Sequence, residues 1–272
     1  ELAPVVVTSD ELEERVAPIY KKLHIPPGQL EAMTGIEERR MWEPGFSVSQ
    51  GATLAARKAL ARSEVNPEDV EVLIYGGVCR EHFEPATACH VASQLGIHPD
   101  ADIFDITNAC LGVLNGIIDV ANRIELGPIR AGMVVSCESS RDIIDTMIDK
   151  MNRQPDMETF KTAVATLTGG SGAVAVLLTD GSFATERRRR LLGGVSCSAP
   201  QHHLLCRWGL EGLSHFQSAY QQVMSTDSPA VLQHGIELGM RTFQAFLPKM
   251  LWTLDLIDRF INHQVGSGHH KA

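Results

Sequence analysis

Short apolar runs separated by segments of helical periodicity constrain this chain more than any other feature. Residues 70–76, 102–107, 132–137 and 173–178 are short, apolar and flanked by turn signals, so each reads as a buried strand. Between them, residues 48–62 are alanine-rich with apolar residues clustered on one side, residues 90–95 run up to Gly96, and residues 111–126 meet the helix stop Gly127-Pro128. Strands alternating with helices predict an α/β layered architecture with parallel pairing. The pattern resets near Asp180-Gly181. Beyond it come a strand expected at 191–196, an irregular stretch rich in His, Gln and Ser, a long helix from about 228 to 247, and a final strand at 259–263. Two halves are therefore expected, 1–180 and 181–272, and the C-terminal one reads as unfinished because the chain stops at Ala272 just after a strand.

Composition removes several classes of function. A net charge of −9, from 33 acidic against 24 basic residues, is the wrong balance for tracking phosphates along a nucleic acid. The run Arg187-Arg188-Arg189-Arg190 is short and precedes Leu191 and Leu192, which reads as a solvated face or a protected strand edge. No apolar run approaches the ~20 residues that cross a bilayer, and Glu1-Leu2-Ala3-Pro4 lacks the layout of a signal peptide. The six cysteines form no C-x-x-C pair, and His202-His203 and His269-His270 are adjacent pairs without partners at ligand spacing, so no metal is expected. A reducing, cytoplasmic setting follows, with most of the thiols acting as small core hydrophobes.

One thiol stands apart. In Ile103-Phe104-Asp105-Ile106-Thr107-Asn108-Ala109-Cys110-Leu111-Gly112 a buried strand ends at Thr107, and a helix carrying Val113, Leu114, Ile117, Ile118, Ala121 and Ile124 follows. Cys110 is thus expected at or beside the N-terminus of a largely buried helix. Unpaired N–H groups and the helix dipole there favour a thiolate and an oxyanion. A core filler is the bland alternative for the same residue.

The motif residues resemble a known family. Thr107-Asn108-Ala109-Cys110 before an apolar helix is similar to the nucleophile motif of thiolase-superfamily condensing enzymes. Thr34-Gly35-Ile36-Glu37-Glu38-Arg39-Arg40 is similar to the T-G-I-x-x-R segment of ketoacyl-carrier-protein synthase III enzymes. Thr168-Gly169-Gly170-Ser171-Gly172-Ala173 resembles their glycine-rich turn before a strand, and Asn262-His263-Gln264-Val265 resembles their His-Gln motif. Arg80-Glu81-His82-Phe83-Glu84-Pro85-Ala86-Thr87 is similar to the glutamate-bearing loop of the OleA family, which condenses two acyl-CoA molecules head to head in olefin biosynthesis. Met33 stands where ketoacyl synthase III enzymes place an arginine, and Gly266-Ser267-Gly268 replaces the Asn and Arg that follow their His-Gln pair.

The resemblance implies a thiolase-like five-layer αβαβα fold of two similar halves, with the C-terminal half incomplete, and a homodimer in which Glu84 crosses into the partner's site. It implies Cys110 as nucleophile, His263 as oxyanion donor or base, and Glu84 as the base for the α-proton of a second acyl-CoA, hydrolysis then yielding a β-keto acid. Coenzyme A thioesters are the implied substrates, with no tightly bound cofactor. Arg39 and Arg40 either meet the CoA phosphates or form surface ion pairs. The family's asparagine and C-terminal glycine-rich segment do not occur before Ala272, so the chain reads as a partial record of a longer protein. Two alternatives remain at this stage: a synthase III condensing acyl-CoA with malonyl-carrier protein, and a catalytically silent thiolase-like partner protein.

Overall fold

The computed structural model describes residues 1–183, 189–211, 221–263 and 266–268. In chain order its elements are β1 (Val5–Thr8), α1 (Ser9–Arg15), α2 (Ala17–Leu23), α3 (Gln29–Thr34), β2 (Glu38–Met41), α4 (Val48–Ala61), β3 (Val72–Gly76), α5 (Thr87–Leu95), β4 (Asp102–Ile106), α6 (Gly112–Leu126), β5 (Ala131–Glu138), α7 (Arg141–Arg153), α8 (Met157–Ala163), β6 (Gly172–Thr179), β7 (Cys206–Glu211), β8 (Gln221–Thr226) and α9 (Ser228–Met250). Two compact units share them and interleave along the chain. One comprises Glu1–Val5, Arg40–Ser139 and Gly170–Leu192, the other Val6–Arg39, Ser140–Gly169 and Gly193–Ala272. The change of pattern at Asp180 falls inside the last segment of the first unit.

The first unit is built on a sheet of order β4-β3-β5-β6. Strand β3 pairs parallel with both β4 and β5, as the alternating pattern predicts. Strand β6 departs from it, running antiparallel to β5 from Ala131↔Thr179 to Glu138↔Gly172. An apolar run carries no direction. Here the connection through α7 and α8 returns the chain to the end of the sheet that β5 has just left, so β6 runs back along it.

Successive residues of the central strands serve opposite faces. Leu73, Tyr75, Met133, Val135 and Cys137 pack with Ala52 and Ala56 of α4 and with Val91 and Ala92 of α5. Val72, Ile74 and Val134 pack with Val120 and its neighbours on α6. Helix α6 meets the sheet along the stripe Gly112, Gly116 and Val120, its only buried residues. Glycine is required there by distance: a Cβ on Gly116 would lie 2.7 Å from Val134 Cγ1, and one on Gly132 2.6 Å from Val120 Cγ1. The expectation of a largely buried helix is corrected accordingly, since Leu114 and Ile118 are 55% and 39% exposed.

The second unit contains the N-terminal helices, α7, α8, the β7–β8 pair and α9. Thr8 and Glu11 form a capping box at α1. The buried carboxylate of Glu13 accepts from Gly28 N (2.6 Å), Leu30 N (2.5 Å) and Tyr20 OH (3.2 Å), which fixes the turn into α3. Helix α7 buries Ile143, Ile144, Met147, Ile148 and Met151 at helical spacing while its other face is charged. Three expectations are corrected here. Residues 191–196 and 259–263 take no strand, having no ladder partner among the described residues. The stretch expected to be irregular contains β7 and β8, paired antiparallel from Cys206↔Thr226 to Leu210↔Gln222.

The cysteines also differ from expectation. Cys137 is buried, Cys79 and Cys197 are half-buried, and Cys89, Cys110 and Cys206 are exposed, so most thiols are not core filler. Among the described residues, no helix is long and apolar enough to cross a membrane.

Candidate active site

Cys110 lies in a tight turn between β4 and α6. Strand β4 ends at Ile106, a 3-10 turn covers Ala109–Leu111, and α6 opens at Gly112. Ala109, immediately before the cysteine, holds φ of 44°, a conformation that costs a non-glycine residue ~1–2 kcal/mol. Such strain persists where surrounding contacts over-determine the backbone, and two such contacts are visible. Asn108 Nδ2 donates to Asn115 Oδ1 at 2.6 Å, tying the turn to the first turn of α6. Gly112 abuts the end of β3 so closely that a Cβ there would lie 3.0 Å from both Gly76 C and Gly77 N. The side chain two residues earlier, Cys110, is exposed. It stands in the turn that feeds the helix, beside the amino terminus as the sequence predicts.

Glu84 lies in the loop that joins β3 to α5, and its side chain is exposed. Three carboxylates hold this loop. Glu138, at the end of β5, accepts from Val78 N (2.7 Å) and Cys79 N (3.2 Å). Glu81 accepts from Ser47 Oγ and from Ser49 Oγ (2.6 Å), and lies 3.3 Å from His90 Nδ1. Asp105 of β4 accepts from Thr87 N and Ala88 N, both at 2.9 Å, satisfying the open amino end of α5. Because β3 and β4 are parallel neighbours, the Glu84 loop and the Cys110 turn leave the sheet at the same carboxyl edge, where α/β sheets place their chemistry. None of these three anchoring carboxylates was legible as such in the sequence. Glu138 and Asp105 do carry one signal, a carboxylate in or ending a strand read as buried.

Cys79 and Cys137 lie beside the Glu138 carboxylate. Burial, then the Glu138 carboxylate, pushes the Cys79 thiol well above its ordinary value. Its sulfur exchanges contacts with the Ser139 backbone, at 3.3 Å to the carbonyl and 3.4 Å to the N–H. Cys137 is pushed up to about 12 by burial and by the same carboxylate. Both thiols are held neutral at physiological pH.

In the second unit His263 is exposed and in irregular backbone rather than in the strand expected for it, while Gln264 and Val265 lie outside the described residues. The segment just beyond does meet a second motif. Ser267 Oγ donates to Met33 O at 3.4 Å, and a Cβ on Gly35, whose φ is 69°, would lie 3.1 Å from Ser267 Cβ. The Thr34-Gly35-Ile36 segment and the chain following His263 are thus neighbours. Arg39, expected near CoA phosphates, turns inward at 5% exposure. Its guanidinium donates to Ser9 Oγ (2.8 Å) and Val7 O (3.4 Å), and burial lowers its pKa. Arg40 is exposed.

A cysteine at a strained strand-to-helix turn, on the carboxyl edge of a mixed sheet, is an arrangement suited to covalent acyl transfer. The match to known proteins narrows that chemistry. Residues 32–171 match the thiolase N-terminal domain. The chain is 53% identical to an acyl-CoA:acyl-CoA alkyltransferase of Shewanella oneidensis, over 100% of its own length and 78% of the relative's. Its structure superposes on a glutamate-to-glutamine variant of Xanthomonas campestris OleA with a TM-score of 0.89 at 33% identity, covering 99% of this chain and 75% of that one. A cysteine-to-serine variant of the same OleA, solved with bound lauric acid and lauroyl-CoA, gives a TM-score of 0.89 at 32% identity, with coverage of 99% and 77%. The chain belongs to the thiolase family and has its mixed α/β fold. Within that family it is similar to the acyl-CoA:acyl-CoA alkyltransferases.

Proposed function

We propose that this protein joins two fatty acyl-CoA thioesters by a decarboxylation-independent Claisen condensation. The observation that carries the reading is the Cys110 turn: an exposed thiol, strained backbone before it and a helix amino terminus after it, in a chain 53% identical to an acyl-CoA:acyl-CoA alkyltransferase. The solved relative with lauroyl-CoA bound supports a CoA thioester as the substrate.

In the first half-reaction the Cys110 thiolate attacks the thioester carbonyl of one acyl-CoA. The tetrahedral oxyanion collapses, CoA leaves as its thiolate, and the acyl group remains on sulfur. In the second, the Glu84 carboxylate removes an α-proton from another acyl-CoA. A thioester α-proton is far too weak an acid for an unaided carboxylate, so the enolate oxygen needs a donor, the role assigned to His263. The α-carbon attacks the acyl-Cys110 carbonyl, the C–S bond breaks, and the cysteine thiolate is released with a β-keto acyl-CoA. The proton rests on Glu84. Arg40, exposed and cationic, is the arginine available to CoA phosphates, because Arg39 is committed to Ser9 and Val7.

The working form in this reading is a homodimer that exchanges Glu84 across its interface. Phe83, 89% exposed beside Glu84, supports it, since an exposed aromatic of this size is what interface cores bury. Cytoplasmic residence accords with the CoA substrate. The test is product analysis with long-chain acyl-CoA alone and with acyl-CoA plus malonyl-carrier protein. Acyl-CoA alone should yield the β-keto product with two acyl groups joined. Product that appears only with malonyl-carrier protein would reassign the enzyme to the synthase III reaction, and no acyl transfer in either mixture would indicate a silent homologue.

A further inference from the structure

We propose that Glu81 is a positioning residue whose carboxylate, clamped by Ser47, Ser49 and His90, fixes the loop from which Glu84 works. The proposal rests on the reading of Glu84 as the α-proton base. Ser47 caps α4, and Ser49 is fully buried in its first turn. Glu81 Oε1 accepts from both hydroxyls and from Ser49 N at 3.3 Å, so the carboxylate sits against the amino end of α4, where negative charge is favoured. His90 of α5 brings Nδ1 to 3.3 Å from Glu81 Oε2 and 3.1 Å from Ser49 Oγ. One side chain therefore joins two helices to a loop that has no ladder of its own. Although burial of Glu81 opposes ionisation, the hydrogen bonds from Ser47 and Ser49 outweigh it and hold the carboxyl below its ordinary value, so the clamp is anionic at neutral pH.

Chain length makes the clamp matter. Glu84 lies three residues after Glu81 and three before Thr87, whose N–H is bound by Asp105. Each three-residue tether spans at most ~10–11 Å when fully extended. With both ends fixed, the Glu84 backbone is confined to a small region; with Glu81 released, the next anchor back is Cys79 and the accessible volume grows. A base misplaced by about 1 Å loses on the order of 10²-fold in rate. The alternative of a separate Ser-His-Glu hydrolytic triad is disfavoured by the geometry. Such a relay uses both ring nitrogens of the histidine, whereas Ser49 and Glu81 meet the same one, Nδ1.

The decisive experiment separates the two half-reactions, reading acylation of Cys110 as burst release of CoA thiol and condensation as β-keto product. Glu81→Ala should leave acylation within about 2-fold and cut condensation about 10-fold or more, and Glu81→Gln, which keeps an acceptor for both hydroxyls, should recover most of it. Residual condensation in a Glu84→Gln background should change less than about 2-fold when Glu81→Ala is added, as expected for a residue that acts through Glu84. Equal loss of both half-reactions, or a loss that multiplies with that of Glu84→Gln, would make Glu81 merely structural and overturn the proposal. If Glu81→Ala does not fold, Ser47→Ala combined with His90→Asn removes two clamp partners and should give the same split. Normal condensation by Glu84→Gln would remove the base assignment and the clamp with it, whereas an inactive Glu84→Gln beside a fully active Glu81→Ala would overturn the clamp alone.

Discussion

Cys79 and Cys110 each lie a few residues beyond the carboxyl end of a strand, and the two strands are parallel neighbours in one sheet. Their surroundings oppose each other. Cys79 is desolvated, faces the Glu138 carboxylate and touches the Ser139 backbone, so its ionised form is disfavoured. Cys110 is exposed in a left-handed turn held by the Gly76–Gly112 approach, next to the amino terminus of α6. Placement at a strand end is therefore not what singles out Cys110 in the proposed reading. Cys79 is buried beside a carboxylate, and Cys110 is solvent-exposed beside a helix terminus, where a thiolate is favoured.

The sharpest way to break this comparison is to remove each thiol in turn. Cys110→Ala should lower acyl transfer by roughly 10³-fold or more, while Cys79→Ala should leave it within about 3-fold, both read as burst release of CoA thiol. Next in size, Glu84→Gln should reduce condensation by about 10²–10⁴-fold while Cys110 still accepts its acyl group, the range expected for removing a positioned base. Third, Gly112→Ala puts a Cβ 3.0 Å from two backbone atoms. Overpacking of that kind costs about 1–3 kcal/mol, to be seen as a lower denaturation midpoint together with slower acylation of Cys110.

The destabilising effect of the buried thiols is absent at neutral pH and appears only in alkali. The Cys137 thiol is raised from 9.0 to about 12 in the folded protein, so the unfolded chain releases its proton first. The stability that comes from keeping this thiol neutral is fully present below about pH 9 and is lost as the pH rises from there through about 12. Urea midpoints measured across the alkaline range should fall in that window, and Cys137→Ala should flatten the fall. Cys79, raised by the same causes, acts in the same direction.

Legibility in the sequence follows the same division. The central strands β3 and β5 were readable because both of their faces are buried, so their apolar runs are nearly unbroken, and α6 because apolar residues at helical spacing run up to the stop Gly127-Pro128. The Cys110 turn was readable for a related reason, since a strand and a helix leave few residues between them. The direction of β6 was not, because pairing direction belongs to the connection and not to the run. Helix α7 carries a helix signal that the sequence reading left unused, apolar residues at helical spacing beside a charged face, whereas Cys206–Glu211 and Gln221–Thr226 alternate too weakly to announce a strand pair. Residues 191–196 and 259–263 show the converse: apolar runs without a ladder partner among the described residues. Burial separated Arg39 from Arg40, a distinction that adjacent identical residues cannot show in one dimension. The partners of the carboxylate anchors Glu81, Asp105 and Glu138 were not legible, because each acts on backbone or side chains distant along the chain.

The central claim is that one sulfur of the six carries the acyl chain. Incubation with a long-chain acyl-CoA, rapid quenching, and mass spectrometry of peptides covering all six cysteines tests it most directly. The account predicts one acyl adduct per chain, on Cys110, formed in step with CoA release and absent from Cys79 and Cys137. An adduct on a different cysteine, or product formed with no acylated sulfur at any time, would contradict it.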